Sequence, residues 1–502
     1  MKIQHLLGGL AVAGLLLAGQ AQAKPKATIN DAIIDALMDQ ADKQMDANDY
    51  KGAAQSFQSV IANPVFASTS PAKHFQAYFG LGIAEFQNDQ KDDAYAALKQ
   101  AEAFATDDDA GFWYTVAIIA HADHQYDAAA VALTKYAVAA PDKLNDMDDD
   151  EVELIAGDAA KDGGTHKQAL LEALWAAKYH PANPFWTAEW LWSDLFETYA
   201  TQGNDDKAKA ILPALVSPGS LLDIRVDNRF ARFVAADPDR FDYGKAQAAE
   251  LASDRSLADA HPDLIAGAQN LAQHLSNAGQ LDEALKVTDD AIAKAKADPK
   301  AYSDTDDYLR WVRNTRADVL SRLGRWDEAA TEMTAAQDLA TDDKASQTIN
   351  LADLDYQMGK PQAALDAVKD IDDGNASPYG VLSADEARAC AYAALKDTAH
   401  LNATLDYVRA HIGDGWGPAR AALECAGDSD GLARDLIARL DDPDTRVDAL
   451  TSVQTYLPLP HPSAAQSQMA AVWAGVLARD DVKAAIAKYG VVIQLPAFPP
   501  NY

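Results

Sequence analysis

The sequence predicts an all-α fold in which antiparallel helix hairpins stack into a solenoid. Three observations predict it. A residue suited to a tight turn recurs along the chain, small residues stand at fixed distances on both sides of it, and most of the spacings between turns are 35 to 45 residues. Self-similarity at such a period is the signature of a repeat array, and it decides how every single motif is interpreted.

The stretch SRLGRWDEAATEM, residues 321 to 333, illustrates the repeat frame around Gly324. Ala317 stands seven residues before this glycine, Ala329 five residues after it and Ala336 twelve residues after it. A small residue midway along one helix and another early in the next allow two helices to cross closely. The turn between them needs the left-handed backbone that Gly, Asn and Asp tolerate best.

The same frame fits a series of turn residues along the chain. The predicted turn residues are Asn48, Asp89, His124, Gly164, Gly203, Gly279, Gly324 and Gly359, with looser matches at Thr398 and Asp428. Each hairpin leaves an apolar face that only the next hairpin can cover, so the units are expected to stack.

The adjacent carboxylates Asp327 and Glu328 are the most suggestive candidates for chemistry near a turn. In the repeat frame they begin the second helix of a hairpin, where acidic side chains interact favourably with the helix dipole and face solvent. Trp326 takes the position that Tyr50 and Tyr126 fill in other units, which favours a packing role. The stretch is therefore interpreted as a turn and a helix start.

The spacing resembles that of the tetratricopeptide repeat, which has small residues at its eighth, twentieth and twenty-seventh positions and a proline near its end. The resemblance covers residues 34 to 215 and 265 to 375 well, and residues 385 to 440 less well. It implies a right-handed superhelical solenoid, and a concave surface that binds segments of other proteins.

Five segments are expected along the chain. They are a signal peptide at 1 to 23, a first array at 24 to 215, a divergent joint at 216 to 264, a second array at 265 to 450 and a terminal capping segment at 451 to 502. The joint is marked by a Pro-Gly break at 218 and 219 and by ADPDRFD at 236 to 242, which interrupt helical periodicity. In the capping segment, helices are expected near 466 to 479 and 480 to 488.

Residues 1 to 23 have the pattern of a cleavable signal peptide. Lys2 gives a short basic start, an apolar run extends from 6 to 18, and AQA at 21 to 23 fits the small-x-small cleavage pattern. The apolar run is shorter than the roughly 20 residues that span a bilayer. No cysteine follows it to accept a lipid. The expected localisation is therefore periplasmic or secreted, in a bacterial envelope.

The charge of the chain restricts its partners. It carries 43 basic and 76 acidic side chains, a net charge of −33. Such a surface repels nucleic acid and anionic lipid head groups, so nucleic-acid binding is not expected. Membrane insertion is not expected either, because no segment after residue 23 is long and apolar enough to span a membrane. An apolar content of 48% argues against disorder.

Cys390 and Cys425 are the two cysteines of the chain. In an oxidising compartment they could form a disulfide, provided that their α-carbons approach within about 7 Å. The favoured alternative is that both are small buried apolar residues on helices.

Candidate binding residues follow from the concave positions that the family resemblance implies. These groove candidates are Phe79, Phe86, Tyr114, His121, Trp186, Trp190, Trp311, Asn314 and Tyr356. Trp186 is a candidate for a different reason: in the expected helix of 184 to 199, Trp186 and Trp190 lie opposite the apolar stripe through Trp192 and Phe196. Trp190 is thus supported by both arguments. A groove of aromatic side chains with scattered carboxylates and amides would suit an extended or helical peptide. Packing against a neighbouring unit is the alternative for Trp190.

No pattern for catalysis, metal or cofactor binding is found. The stretch HADHQYD, 121 to 127, contains His and Asp side chains within two turns but lacks the zinc-protease arrangement, and His124 occupies a predicted turn. A nucleophile elbow, a phosphate-binding loop and a dinucleotide fingerprint are also missing. About 60 residues follow the last repeat, too few for the catalytic domain of a wall-lytic enzyme.

The sequence thus predicts a non-catalytic protein-interaction scaffold of the cell envelope, which binds a protein or peptide partner in its concave groove. The alternative from another class is an envelope carbohydrate-binding or wall-remodelling accessory protein, since aromatic side chains also stack on sugars. A homo-oligomeric spacer is the structural alternative. The repeat encodes a shape and leaves the partner unidentified.

Overall fold

The computed structural model describes residues 29 to 340 and 344 to 499, so the predicted signal peptide lies outside the described residues. The chain divides into two compact units, one that ends at Leu212 and one that begins at Pro213. The prediction of an all-α fold is confirmed, because helices form almost all of the regular structure in both units. None of the described helices is both long and apolar enough to cross a membrane.

The first unit consists of successive helix hairpins. Its helices are α1 Ile29–Asp46, α2 Tyr50–Ile61, α3 Pro71–Gln87, α4 Lys91–Glu102, α5 Ala110–Ala122, α6 Tyr126–Ala139, α7 Asp149–Asp158, α8 Lys167–Ala177, α9 Glu189–Thr201 and α10 Asp205–Ile211. Helices α1 and α2, α3 and α4, and α5 and α6 pack as pairs, and so do α9 and α10.

The second unit continues with hairpins and ends in an extended segment. Its helices are α11 Pro218–Val226, α12 Ala231–Ala236, α13 Tyr243–Ala260, α14 Ala266–Asn277, α15 Leu281–Ala297, α16 Thr305–Arg322, α17 Trp326–Leu339, α18 Lys344–Gln357, α19 Pro361–Val368, α20 Pro378–Leu395, α21 Thr398–Ala410, α22 Trp416–Ala426, α23 Ser429–Asp441, α24 Arg446–Ser452, α25 Ala464–Ala478 and α26 Asp480–Tyr489. Residues 216 to 264 contain α11, α12 and α13, with a non-helical stretch at 237 to 242. The two helices expected in the terminal segment are confirmed as α25 and α26.

The predicted turn residues adopt the left-handed backbone at seven of the eight main positions. These positive-φ residues are Asn48, Asp89, His124, Gly203, Gly279, Gly324 and Gly359. At the turn around Gly324, the Arg325 N–H donates to the Leu320 carbonyl at 2.8 Å and the Gly324 N–H donates to the Ser321 carbonyl at 2.9 Å. This pair of bonds is the Schellman motif, which satisfies carbonyl groups left free at the end of a helix.

The remaining turn positions were predicted wrongly by one or two residues. Gly164 has φ −55°, and the left-handed residues of that turn are Asp162 and Gly163. In the last two hairpins the left-handed residues are Lys396 and Gly427, two residues before Thr398 and one before Asp428. Thr398 is the first residue of α21, and Asp428 is the N-cap of α23, whose side chain accepts from the Gly431 N–H.

The small residues of the frame lie where the two helices of each hairpin meet. Ala317, Ala329 and Ala336 are all at most 1% exposed. Helices α16 and α17 therefore approach closely along this line, and longer side chains pack beside it. A larger residue at any of these positions would force the hairpin apart.

The terminal segment of the second unit contacts both its last and its first helices. Helices α25 and α26 pack on α22 and α23, and α24 packs on α11. The Thr451 hydroxyl donates to Asp223 at 2.9 Å, and the Val491 N–H donates to the Val226 carbonyl at 2.9 Å. Because α11 is the first helix of the unit, these contacts join its two ends.

Cys390 and Cys425 form a disulfide, with their α-carbons 5.0 Å apart. The favoured interpretation of two unpaired buried cysteines is therefore wrong. Both residues are buried, as that interpretation required, but α20 and α22 lie side by side and bring the two side chains together. The turns that follow α20 and α22 were predicted two residues and one residue too late, so the repeat frame could not decide whether these side chains face each other.

Candidate functional site

In the first unit, the aromatic groove candidates on α3 and α5 are packed to different degrees. Phe79 is half-buried between Phe75 and Phe112, with ring centroids 5.4 and 5.7 Å away. Tyr114 is also half-buried, and its ring lies 5.5 Å from that of Tyr136. Both residues pack against other aromatic side chains, yet each keeps part of its surface open to solvent.

Phe86 and His121 are less available to a partner. Phe86 is only 7% exposed and belongs to the core. The His121 Nε2 lies 3.1 Å from Asp158, and its ring stands beside Tyr126. Within the described ranges, no group of three or more His, Cys, Asp and Glu side chains is arranged to hold a metal ion.

Trp186 and Trp190 are the groove candidates at the start of α9. Trp186 precedes α9 and is 38% exposed. Trp190 lies in the first turn of α9 and is partly exposed. Its indole ring faces Gly157 of α7 and its N–H bonds to Glu153. Trp190 therefore packs against a neighbouring helix, as the alternative in the sequence allowed, without becoming buried.

The second unit contains a cavity of about 690 Å³. Its walls come from the first helices of successive hairpins, α14, α16, α18, α20 and α22, and from the terminal segment. Of the groove candidates in this unit, Asn314 and Tyr356 line the cavity. Trp311 does not line it; this side chain is partly exposed, with the Arg310 guanidinium 5.7 Å from its ring.

The terminal segment forms one wall of the cavity. From α25, Gln466 donates to the Gln357 side chain at 3.0 Å, and Trp473 lies 5.0 Å from the Arg420 guanidinium. At the other end of the segment, Arg322 donates to the Pro499 carbonyl at 3.2 Å. The concave side of this array is therefore covered by the protein's own chain.

Three carboxyl groups in the cavity have raised pKa values, and burial is the main cause for each. The pKa of Asp353 is raised to about 8 and that of Glu424 to about 7. The pKa of Glu386 is raised well above its usual value by burial and then by the charge of Asp353. Tyr356 donates to Glu386 at 3.0 Å. The cavity thus favours the protonated, neutral form of acids that are normally ionised.

Two ion pairs line the cavity, and one of them includes Glu424. The Arg322 and Asp318 side chains approach to 3.2 Å, and so do those of Arg420 and Glu424. Glu424 Oε1 nevertheless has no well-aligned hydrogen bond, and neither has Asp353 Oδ1, although both atoms are buried.

The sequence interpretation missed Glu386, Arg420 and Glu424 because its last two turns were misplaced. Counted from Lys396, Glu386 stands ten residues before the turn, as Asn314 stands ten before Gly324. In the same way, Glu424 stands three residues before Gly427, as Tyr356 stands three before Gly359. With the observed turns, the repeat frame places both carboxylates on the inner face.

No protein-family model matches the chain, and no curated protein matches its sequence. Among solved structures, it is similar to the APC/C hetero-tetramer Cut9-Hcn1, with 12% identity over 91% of this chain and 96% of that chain and a TM-score of 0.28. It is also similar to a Rap protein complexed with competence and sporulation factor, with 10% identity over 91% and 99% and a TM-score of 0.29. A third match is Naa15/Naa10 bound to HypK-THB, with 14% identity over 92% and 76% and a TM-score of 0.29. Because these TM-scores are low, the fold assignment rests on the helices and turns described above.

Proposed function

We propose that the protein is a non-catalytic interaction scaffold of the cell envelope, and that its first unit binds a segment of a protein partner. The observation that carries this proposal is the exposure of two tryptophans four residues apart, Trp186 and Trp190. Tryptophan is enriched at the energetic centres of protein interfaces, because its large ring buries much apolar surface at a small entropic cost. Trp186 is 38% exposed.

The surroundings of Trp190 suggest the chemistry of the partner. The neighbouring helix α7 begins with Asp149, Asp150 and Glu151 and also carries Glu153. Burial raises the pKa values of Asp150, Glu151 and Glu153, and the nearby carboxylates raise them further. A Lys or Arg side chain from a partner would relieve this repulsion.

The composition of the unit supports the same conclusion. Residues 29 to 212 contain no arginine, and their acidic residues outnumber their lysines by more than two to one. A partner segment that combines a basic residue with a large apolar one would complement this surface. The concave side of the second unit is a weaker candidate, since the terminal segment already covers it.

An envelope location is part of the proposal. It is supported by the signal-peptide pattern of residues 1 to 23 and by the disulfide between Cys390 and Cys425. Disulfides persist in oxidising compartments and are rare in the cytosol.

The proposal can be tested with a photocrosslinking amino acid placed at position 186 in the full-length protein and activated in the native envelope. We expect a crosslinked species that disappears when Trp190→Ala is added, because the partner loses a neighbouring anchor. The matched control places the crosslinker at Val138, which is 72% exposed but lies at the end of α6. The same species from both positions, or its persistence in Trp190→Ala, would contradict the proposal.

The carbohydrate-binding alternative gives a different outcome. Aromatic side chains stack on sugars, so a sugar-binding protein should sediment with insoluble wall material. Loss of sedimentation in Trp190→Ala, without any protein crosslink, would replace the partner-binding proposal by this alternative.

A further inference from the structure

The cavity of the second unit has the features of a small-molecule binding site. Its volume of about 690 Å³ lies within the range of roughly 300 to 1,000 Å³ that is typical of such sites. Its walls combine apolar side chains such as Leu354 and Met469 with a larger set of polar groups. This inference does not depend on the proposed function of the first unit.

The charged and titratable groups in the cavity come from four of the helices that surround it and from the terminal segment. They are Asp318 and Arg322 of α16, Asp353 and Tyr356 of α18, Glu386 of α20, Arg420 and Glu424 of α22, and His461 of the terminal segment. The two arginines each pair with one carboxylate, Arg322 with Asp318 and Arg420 with Glu424. Four carboxylates and two guanidinium groups leave an excess of negative charge when all are ionised.

Asp353 and Glu386 account for that excess. Among the residues that the structure describes, neither carboxylate has a Lys, Arg or His side chain within ion-pair distance. Glu386 is 4% exposed and accepts one hydrogen bond, from Tyr356. Asp353 Oδ1 is buried without a hydrogen-bond partner. Buried polar atoms are nearly always satisfied, so an unsatisfied acceptor that borders a cavity indicates a missing donor.

Glu424 supplies a second unsatisfied acceptor. The residue is 5% exposed, and its Oε1 lies 3.2 Å from the Arg420 Nε without the alignment of a hydrogen bond. Side-chain amides of Asn314, Asn350 and Gln357 also line the cavity, and the oxygens of Asn314 and Gln357 already accept from Asn350 and Gln466. A ligand with N–H donors would satisfy Asp353 Oδ1 and Glu424 Oε1, and a positive charge on it would balance the excess of carboxylates.

We propose that the cavity binds a small organic molecule with primary ammonium groups, held by Asp353, Glu386 and Glu424. A bare divalent cation fits less well, because no three His, Cys, Asp or Glu side chains of the described chain are arranged to hold a metal ion. An ammonium group donates three hydrogen bonds and can bridge acceptors that are too far apart for metal coordination.

The experiment uses 1,4-diaminobutane as the probe and 1,4-butanediol, which has the same length and no charge, as the control ligand. Thermal unfolding of the full-length protein at pH 8.5 should shift upwards with the diamine and not with the diol. Glu386→Gln and Asp353→Asn should each weaken diamine binding by about tenfold or more, because each removes a charged hydrogen bond. The matched control Asp366→Asn removes a carboxylate from the exposed face of α19 and should bind the diamine as the unaltered protein does.

A second measurement needs no variant and remains valid if the substitutions disturb folding. Burial keeps protons on these acids in the empty cavity, so an ammonium ligand should release protons when it binds. Calorimetric titrations of the unaltered protein at pH 6.5, below the raised pKa values of Asp353 and Glu424, in two buffers with different ionisation enthalpies measure this release. No thermal shift with 10 mM diamine, an equal shift with the diol, or binding without proton release would overturn the proposal.

Discussion

Glu424 provides the sharpest test of the electrostatics of the second unit. Its carboxyl group is buried beside Arg420, and burial raises its pKa from 4.5 to about 7 even though the Arg420 charge lowers it. The folded protein therefore holds the proton more tightly than the unfolded chain. This contribution to stability is fully present below pH 4.5 and is lost as the pH rises through 7. The substitution Glu424→Gln makes the position permanently neutral and removes that loss.

The magnitude follows from the pKa difference. A change from 4.5 to about 7 corresponds to about 3 kcal/mol of preference for the neutral form in the folded state. Glu424 is 5% exposed, so solvent screening reduces this figure little. For a unit of this size, about 3 kcal/mol corresponds to a shift of roughly 5 to 10 °C in the melting temperature.

The assay is thermal unfolding by circular dichroism at several values between pH 4.5 and 8.5. The difference in melting temperature between Glu424→Gln and the unaltered protein should increase by roughly 5 to 10 °C, in favour of the variant, as the pH rises from 4.5 to 8.5. The control Glu283→Gln removes an exposed carboxylate of α15 that pairs with Arg255. The difference in melting temperature between this variant and the unaltered protein should change by less than about 1 °C over the same pH range. A difference between Glu424→Gln and the unaltered protein that is constant with pH would refute the assignment of a buried neutral acid.

Two further predictions concern the second unit, one its disulfide and the other its glycine turns. The disulfide closes a loop of 35 residues, so Cys390→Ala with Cys425→Ala should lower the free energy of unfolding by about 4 kcal/mol in the chain-entropy model. Dithiothreitol should lower the melting temperature of the unaltered protein and leave that of the double variant unchanged; an equal effect on both would contradict the prediction. Gly324 has φ +75° and Gly359 has φ +74°, but a Cβ at Gly324 would lie 3.1 Å from the His461 side chain, while nothing lies within 4 Å at Gly359. Both Ala variants should lose about 1 to 2 kcal/mol to backbone strain, and only Gly324→Ala should also make the segment around His461 more sensitive to limited proteolysis.

The turns of the hairpins could largely be predicted from the sequence, because the left-handed backbone favours a few residue types. Asn48, Asp89 and Gly324 are such residues and adopt that conformation. Lys396 is not, so no local signal distinguishes it from Thr398 two residues later. The predicted repeat register of the last hairpins was therefore shifted by one or two residues, and Glu386 was not predicted to lie on the inner face.

The contacts of the terminal segment could not be predicted, because they depend on no repeating pattern. Phe498 donates its N–H to the Asn277 carbonyl at 2.8 Å across more than 200 residues of chain. His461 packs against Gly324 in the same way. The repeat frame shows which face of a hairpin is concave. Which part of the chain covers that face depends on side-chain complementarity, which has no period.

The contacts between the terminal segment and the first helix of the second unit also have a consequence for biosynthesis. The bond between Asp223 and Thr451 spans 228 residues, and the contact between Asn228 and Lys488 spans 260. The residues that complete the unit leave the ribosome, or a translocation channel, only after all of its hairpins. The hairpins of the first unit pair with near neighbours and can form as the chain emerges, whereas the second unit has to wait for its final residues. A premature stop near residue 450 would therefore affect the whole second unit, because it removes the contacts that Thr451 and Lys488 make with the first helix of the unit and the segment that follows it.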